Sequence, residues 1–227
     1  MSQTAKDMKH RPAFHPWRLW VAGMALLALG GCNTLRTVTA PQPSFYSLDN
    51  ARAAAPATAP ATAGLTPAGP TLIINPPHAA AGFDSQRIIY VREAHKIEYF
   101  AHSEWVDPPA RMLAPLLVGA LEATGAFRAV VLTPSAAAGD LRLDTEVVRL
   151  QHEFATAPSR VRFTLRATLV DEKARRVLAS REFDVAVPAT SDDPHGGVVA
   201  ANRAVQTALE NLAVFCAEAV RGRPMEK

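Results

Sequence analysis

The chain has 227 residues, enough for one folded domain plus tails. Its formal charge is +3, yet the excess sits in the first 31 residues, which hold Lys6, Lys9, Arg11 and Arg18 against Asp7 alone. Without them, 24 basic residues less four and 21 acidic less one leave 20 of each, so the remainder is neutral and nucleic acid, which requires a basic patch, is not an expected partner.

The basic residues at the start precede an apolar run, residues 19–29 (LWVAGMALLAL), of 11 residues. A spanning helix needs about 20 apolar residues, so the run is too short to be one and suits a secretion signal. Leu29-Gly30-Gly31-Cys32 follows, and this tetrapeptide resembles the lipobox of bacterial lipoprotein precursors. The resemblance implies cleavage between Gly31 and Cys32, diacylglycerol on the Cys32 sulfur, and a fatty acyl chain such as palmitate on the new amino group. The thiol is the acceptor, and the small residues before it fit the peptidase groove. The other reading is an ordinary secretion signal followed by a chance cysteine. One acyl chain binds a membrane marginally, while two or more anchor stably. Position 33 is asparagine. In lipoprotein sorting an aspartate there commonly retains the protein in the inner membrane. Its absence favours the outer membrane, facing the periplasm, with the periplasmic face of the inner membrane as the alternative.

Residues 32–44 read as the lipidated cysteine and a polar tether, and the folded domain as residues 45–221, with 222–227 as a tail. Residues 45–48 (FYSL) form a short strand. Residues 50–70 are rich in Ala, Pro and Thr and poor in large apolar side chains, so they predict a flexible or polyproline-like insertion. The run 72–75 (LIIN) is a strand stopped by Pro76-Pro77. Runs 87–92 (RIIYVR) and 96–100 (KIEYF) are strands joined through Glu93-Ala94-His95. Asp107-Pro108 predicts a helix start, with an acidic cap and proline at the first position. Met112, Leu113, Leu116, Leu117, Ala120 and Leu121 give its apolar stripe, and Gly125 ends it. Pro115 predicts a kink or a late start.

Residues 129–132 are a short strand. Leu141, Leu143, Thr145 and Val147 alternate with polar residues, and the alternation then shifts to Val148, Leu150 and His152, which predicts a bulge near Val147-Val148. Val161, Phe163, Leu165, Ala167 and Leu169 alternate in the next strand. Val177, Ala179, Phe183, Val185 and Val187 form its hairpin partner. Pairing Val170 with Arg176 sets Phe163 opposite Phe183, Val161 opposite Val185 and Arg162 opposite Asp184. A helix over 194–221 closes the chain. Its stripe is Val198, Ala201, Val205, Leu209, Leu212, Cys216 and Ala219, which makes Cys216 a small buried hydrophobe. With Cys32 lipidated, Cys216 has no disulfide partner. The order predicts an α/β domain, a mixed sheet with an antiparallel hairpin flanked by about two main helices.

Chemistry-bearing motifs are sparse. His78, His95, His102, His152 and His195 show no i, i+4 pair, and there is no HExxH, CxxC, GxSxG or phosphate-binding glycine motif. No cofactor or metal is expected. Gly196-Gly197 near a helix start reads as an anion seat or, more simply, a turn. Glu93, Glu98, Glu104 and Asp107 near Trp105 read as a solvated edge. Arg162 and Arg166 read as ion-pair partners of Asp184 and Glu182.

Several short motifs occur in order behind the lipobox: Phe45-Tyr46-Ser47-Leu48-Asp49; Arg87-Ile88-Ile89-Tyr90-Val91-Arg92; Ile97-Glu98-Tyr99; Trp105 before a proline-bearing helix start; and an alanine-rich helix over 202–217. Together they resemble the ABC-type transport auxiliary lipoprotein family, over about residues 45–219. Gln86 stands where the family carries proline, and the insertion after Asn50 is longer than the family's. The resemblance implies a compact α/β fold and no catalysis. It implies a docking role beside an MCE-domain protein and its inner-membrane ABC permease and ATPase, alone or as a homo-oligomer. These systems move phospholipid or another lipid and so maintain envelope lipid homeostasis. Tyr90, Arg92, Tyr99 and Trp105 are the expected docking residues, with core packing as the alternative for Tyr90 and Trp105. Two other functions stay open: a structural or assembly lipoprotein of outer-membrane biogenesis, and a lipid-tethered periplasmic hydrolase. A deep polar pocket gathering His152 with an acid and a hydroxyl would favour the hydrolase.

Overall fold

In chain order the elements are β1 (Ser44–Tyr46), β2 (Thr71–Ile74), β3 (His78–Ala79), β4 (Arg87–Val91), β5 (Glu98–Trp105), α1 (Pro109–Glu122), β6 (Ala129–Leu132), β7 (Leu141–Glu153), β8 (Arg160–Asp171), β9 (Arg176–Pro188) and α2 (Pro194–Arg221). The structure is a computed structural model that describes residues 42–49 and 69–222. The leader, Cys32, the tether up to residue 41, residues 50–68 of the Ala/Pro/Thr-rich stretch and residues 223–227 lie outside the described residues.

β7 is the strand on which the sheet is assembled. One edge pairs antiparallel with β8 along its whole length, from Leu141↔Asp171 to Glu153↔Arg160. The other edge is covered in series by three parallel strands. Leu72 pairs with Leu141, His78 with Glu146 and Tyr90 with His152. Residues 71–91 thus run beside β7 as an interrupted strand, broken where Pro76-Pro77 cannot donate to the ladder. β6 extends the sheet beyond β2, and β5 then β1 extend it beyond β4. On the far side β9 is the last strand, paired only with β8. Among the described residues the result is a nine-stranded mixed sheet with two helices, the expected α/β class.

The alternation in sequence becomes the division between faces. Leu141, Leu143, Val147, Phe163, Leu165, Ala167 and Leu169 are fully buried, and the predicted bulge falls between Val147 and Arg149. α2 packs on β8 and β9, and α1 on β6, β3 and β7, with the two helices also touching. The stripe from Val198 to Cys216 fills the same core. The opposite face of the hairpin carries ion pairs: Arg166 with Glu146 (2.8 Å) and Glu182 (3.0 Å), Arg160 with Glu153 (2.8 Å), and Arg162 with Asp184 (3.8 Å). Half-exposed pairs are worth about 0–1 kcal/mol each, whereas burying a Leu or Phe is worth about 1.5–3 kcal/mol. The core therefore sets stability, and the ion pairs reinforce register.

Four local expectations are corrected. The β8–β9 register sets Phe163 opposite Val185 and Leu165 opposite Phe183, two residues from the predicted pairing. A four-residue turn after Asp171↔Arg176 and an irregularity beside Leu169 account for the offset, and a shift of two keeps every side chain on its predicted face. β5 continues beyond the predicted end at residue 100 to Trp105, through His102, Ser103 and Glu104, so Glu104 also belongs to the strand. α1 starts at Pro109 with Pro108 as its cap. Asp107 makes no capping bond and pairs instead with Arg111 at 3.2 Å. The helix continues through Pro115.

Asp140 ties the start of β2 to β7. Its carboxylate accepts from the Thr71 N–H at 2.9 Å and meets Lys173 at 3.1 Å and Arg128 at 3.5 Å, while its own N–H donates to the Thr71 carbonyl at 2.9 Å. The Thr71 hydrogen bond, helped by Lys173 and Arg128, holds this carboxyl below the usual carboxylate range. Asp140→Ala is expected to cost about 1–3 kcal/mol, the size of a lost hydrogen bond to a charged group, read as a lower urea midpoint with an unchanged slope.

Candidate functional site

The four expected docking residues occupy three environments at the β4–β5 end of the sheet. Ile89 pairs with Tyr99 and Tyr90 with Glu98. Strand alternation then sets Tyr90, Arg92 and Phe100 on one face and Tyr99 with Arg87 on the other. Tyr90 is half-buried against Phe100 (ring centroids 4.6 Å) and Phe154 (5.8 Å). Arg92 is exposed and lies 4.9 Å over the Tyr90 ring, donating to its hydroxyl at 3.4 Å. Tyr99 is 39% exposed, with the Arg87 guanidinium 4.9 Å from its ring. Trp105 is 3% exposed and belongs to the core. It supports the end of β5 and presents no surface of its own.

The sequence did not reveal what surrounds His152. The His152 Nε2 lies 2.8 Å from the Ser159 Oγ, and Ser159 donates to the Asp192 carboxylate. Because the hydroxyl proton goes to Asp192, the imidazole must donate from Nε2. That leaves Nδ1 unprotonated, and it is buried without a partner. Gly197 of α2 lies directly over it, where a Cβ would stand 2.6 Å from Nδ1. Gly196 is needed as well, since a Cβ there would meet the Ser191 backbone at 2.4 Å. The glycine pair therefore lets the helix start pass close to β7. No anion seat remains at that helix start, because Asp193 caps it by accepting from the Gly196 N–H at 2.7 Å.

A histidine, a hydroxyl and an acid thus meet, but in an order that does no nucleophilic chemistry. An activated serine needs the imidazole between hydroxyl and carboxylate, so that the ring takes the hydroxyl proton. Here the serine is in the middle and its proton is committed to Asp192. Ser159 is 1% exposed, and the adjoining cavity, bounded by Ile88, Trp105 and Val161, holds only about 10 Å³. The trio is a hydrogen-bonded strut between β7, the start of β8 and the approach to α2. Only strand alternation at His152 hinted at its burial. Ser159 and Asp192 are 33 residues apart and carry no local signal.

Other groups do not converge. Glu93 pairs with Lys96 at 3.6 Å and Asp107 with Arg111, while Glu98 and Glu104 are spaced along β5. Among the described residues no three His, Cys, Asp or Glu side chains gather as a metal site. Cys216 is fully buried, and burial pushes its thiol up to about 12, so it is no nucleophile at neutral pH. An open groove of about 420 Å³ lies between α1 and α2, lined by Leu116, Ala120, Leu209 and Ala213 among others. No helix among the described residues is long and apolar enough to cross a membrane.

The sequence profile of the ABC-type transport auxiliary lipoprotein component matches residues 46–213. No curated protein matches the chain. The Xanthomonas campestris protein XCC0632 is 26% identical, with a TM-score of 0.62, over 67% of this chain and 86% of that one. A second crystal structure, of an uncharacterized protein, is 13% identical with a TM-score of 0.59, over 78% of this chain and 99% of its own; it supports the fold alone.

Burial pulls His152 below the ordinary imidazole value of 6.5, against the opposing pull of Asp192 and Asp193. Above that value the ring is neutral folded and unfolded. As pH falls below it the unfolded chain takes up the proton first, so stability declines until the folded-state value is reached. The slope is at most about 1.4 kcal/mol per pH unit. Denaturation midpoints measured from pH 7 to 5 are expected to fall for the wild type, and His152→Gln is expected to flatten that dependence.

Proposed function

The chain belongs to the ABC-type transport auxiliary lipoprotein family, a class of membrane-anchored envelope proteins, and from that premise we propose that it is the docking subunit of an MCE-type lipid transport system. One observation carries the reading. The family match begins at residue 46, within the first strand of the folded body, and Cys32 of the lipobox stands 12 positions ahead of Ser44. A folded body tethered so closely to a lipidated cysteine is an immobile partner at a membrane surface. The family is that of an auxiliary component and not an enzyme family.

In this reading Cys32 carries diacylglycerol on sulfur and an acyl chain on nitrogen, enough chains for permanent anchoring. Asn33 in place of aspartate favours the outer membrane. The body then faces the periplasm, where it binds the MCE-domain protein that works with the inner-membrane permease and ATPase. The cargo is phospholipid or another lipid, and the role is envelope lipid homeostasis. Exposed Arg92 stacked on half-buried Tyr90 supports the choice of docking surface, since arginine and tyrosine are among the types that dominate interface energetics. Tyr99 with Arg87 offers the same chemistry on the other face, and Trp105 stiffens the strand beneath them.

The test is crosslinking in cells followed by identification of the captured proteins. Wild-type protein is expected to retrieve an MCE-domain protein, and Arg92→Ala to reduce the yield by about tenfold, the effect of losing a contact worth about 1.4 kcal/mol. Cys32→Ser is expected to move the protein to the soluble fraction. Capture of outer-membrane assembly proteins without any MCE-domain partner would contradict the proposal.

A further inference from the structure

Among the described residues six large hydrophobic side chains are conspicuously exposed, and two of them lie at the β1 edge of the sheet: Phe45 at 59% and Val106 at 50%. β1 is the last strand beyond β5 and pairs with it in parallel, Phe45 opposite Glu104 and Tyr46 opposite Trp105. Strand alternation divides these residues. Tyr46 and Trp105 point into the core, and Phe45 points away from it. Val106 follows β5 in the same alternation as Glu104, and its N–H donates to the Tyr46 carbonyl at 2.8 Å, which keeps it beside β1. Phe45 and Val106 are therefore neighbours on one face of the terminal strand. The charges nearest in register, Glu104 and Arg87, are opposite in sign and face each other across β4 and β5. The patch is apolar in a locally neutral setting.

Chain length says what it faces. Eleven residues, 33–43, separate Cys32 from Ser44. Fully extended at about 3.3–3.6 Å per residue they reach about 40 Å, so acyl chains on Cys32 hold β1 permanently within that distance of the bilayer. Val177, equally exposed, lies on β9 at the opposite edge of the sheet. Tethering raises the effective concentration of lipid at the β1 edge above that at any solution encounter. An exposed aromatic and an aliphatic side chain there have a bilayer surface as their standing apolar neighbour.

We propose that the β1 edge rests on the phospholipid surface, with Phe45 and Val106 seated between headgroups and upper acyl carbons. This fixes the orientation of the body, because the sheet then stands on β1 with β9 as its distal edge. The inference rests on the lipidation of Cys32.

The test uses the lipidated protein in vesicles of phosphatidylethanolamine and phosphatidylglycerol containing dibrominated phosphatidylcholine. After removal of the leader, with Trp17 and Trp20, the buried Trp105 is the remaining tryptophan and gives a constant background. Phe45→Trp is expected to be quenched by the brominated chains at least about twofold more than Val177→Trp, as a side chain seated in the interface would be. Equal quenching of the two would overturn the proposal. Flotation with the vesicles is measured on the same samples. Protein that fails to float overturns the lipidation of Cys32 and this inference with it; protein that floats without differential quenching overturns this inference alone. Val106→Trp repeats the measurement should the circular dichroism of Phe45→Trp depart from wild type.

Discussion

The fold depends on β7 being paired along both of its edges. β8 supplies one edge over its full length, and β2, β3 and β4 supply the other in series. Every backbone group of a buried strand must find a partner, and 13 residues of such a strand need a long opposing segment. Residues 71–91 are that segment. Their short pieces would be marginal alone, but each is held by the same rigid partner. Everything placed at the sheet's ends, β6 at one and β5 with β1 at the other, inherits its position from β7.

The buried polar strut has the same origin. His152 pairs in register with Tyr90 at the far end of β7, just where α2 begins. Gly197 brings the helix down on the imidazole, and Ser159 and Asp192 close the chain of hydrogen bonds behind it. A polar group in such a place is costly if left unpaired and specifying if paired. The trio locks β7, β8 and α2 into one arrangement, and its geometry commits the Ser159 proton to Asp192.

Strong periodicity made much of this legible in advance. The alternations in β7 and β8, the bulge at Val147 and the helix Pro194–Arg221 follow from side-chain period alone, because each buries one face. Polar residues hid the rest. His102, Ser103 and Glu104 gave β5 no apolar pattern, although pairing with β1 and β4 makes them a strand. β3 is two residues long and exists only because β7 lies beside it. Hairpin register slipped by two because irregularities beside a turn are invisible to face patterning. Around the candidate site, Tyr90, Arg92 and Tyr99 stand where a surface role is open to them, while Trp105, a large aromatic at the junction of β5 and α1, went to the core. The partners of His152 are distant in sequence and had no signal.

The central claim is that β7 is the rigid spine of the domain. Native-state hydrogen exchange resolved by residue tests it most directly. The account predicts that amides of Leu141–Glu153 and their partners in β8 exchange last and together, through global unfolding only, while those of β1 and β9 exchange earlier by local opening. Exchange across β7 as fast as at either outer strand would contradict it.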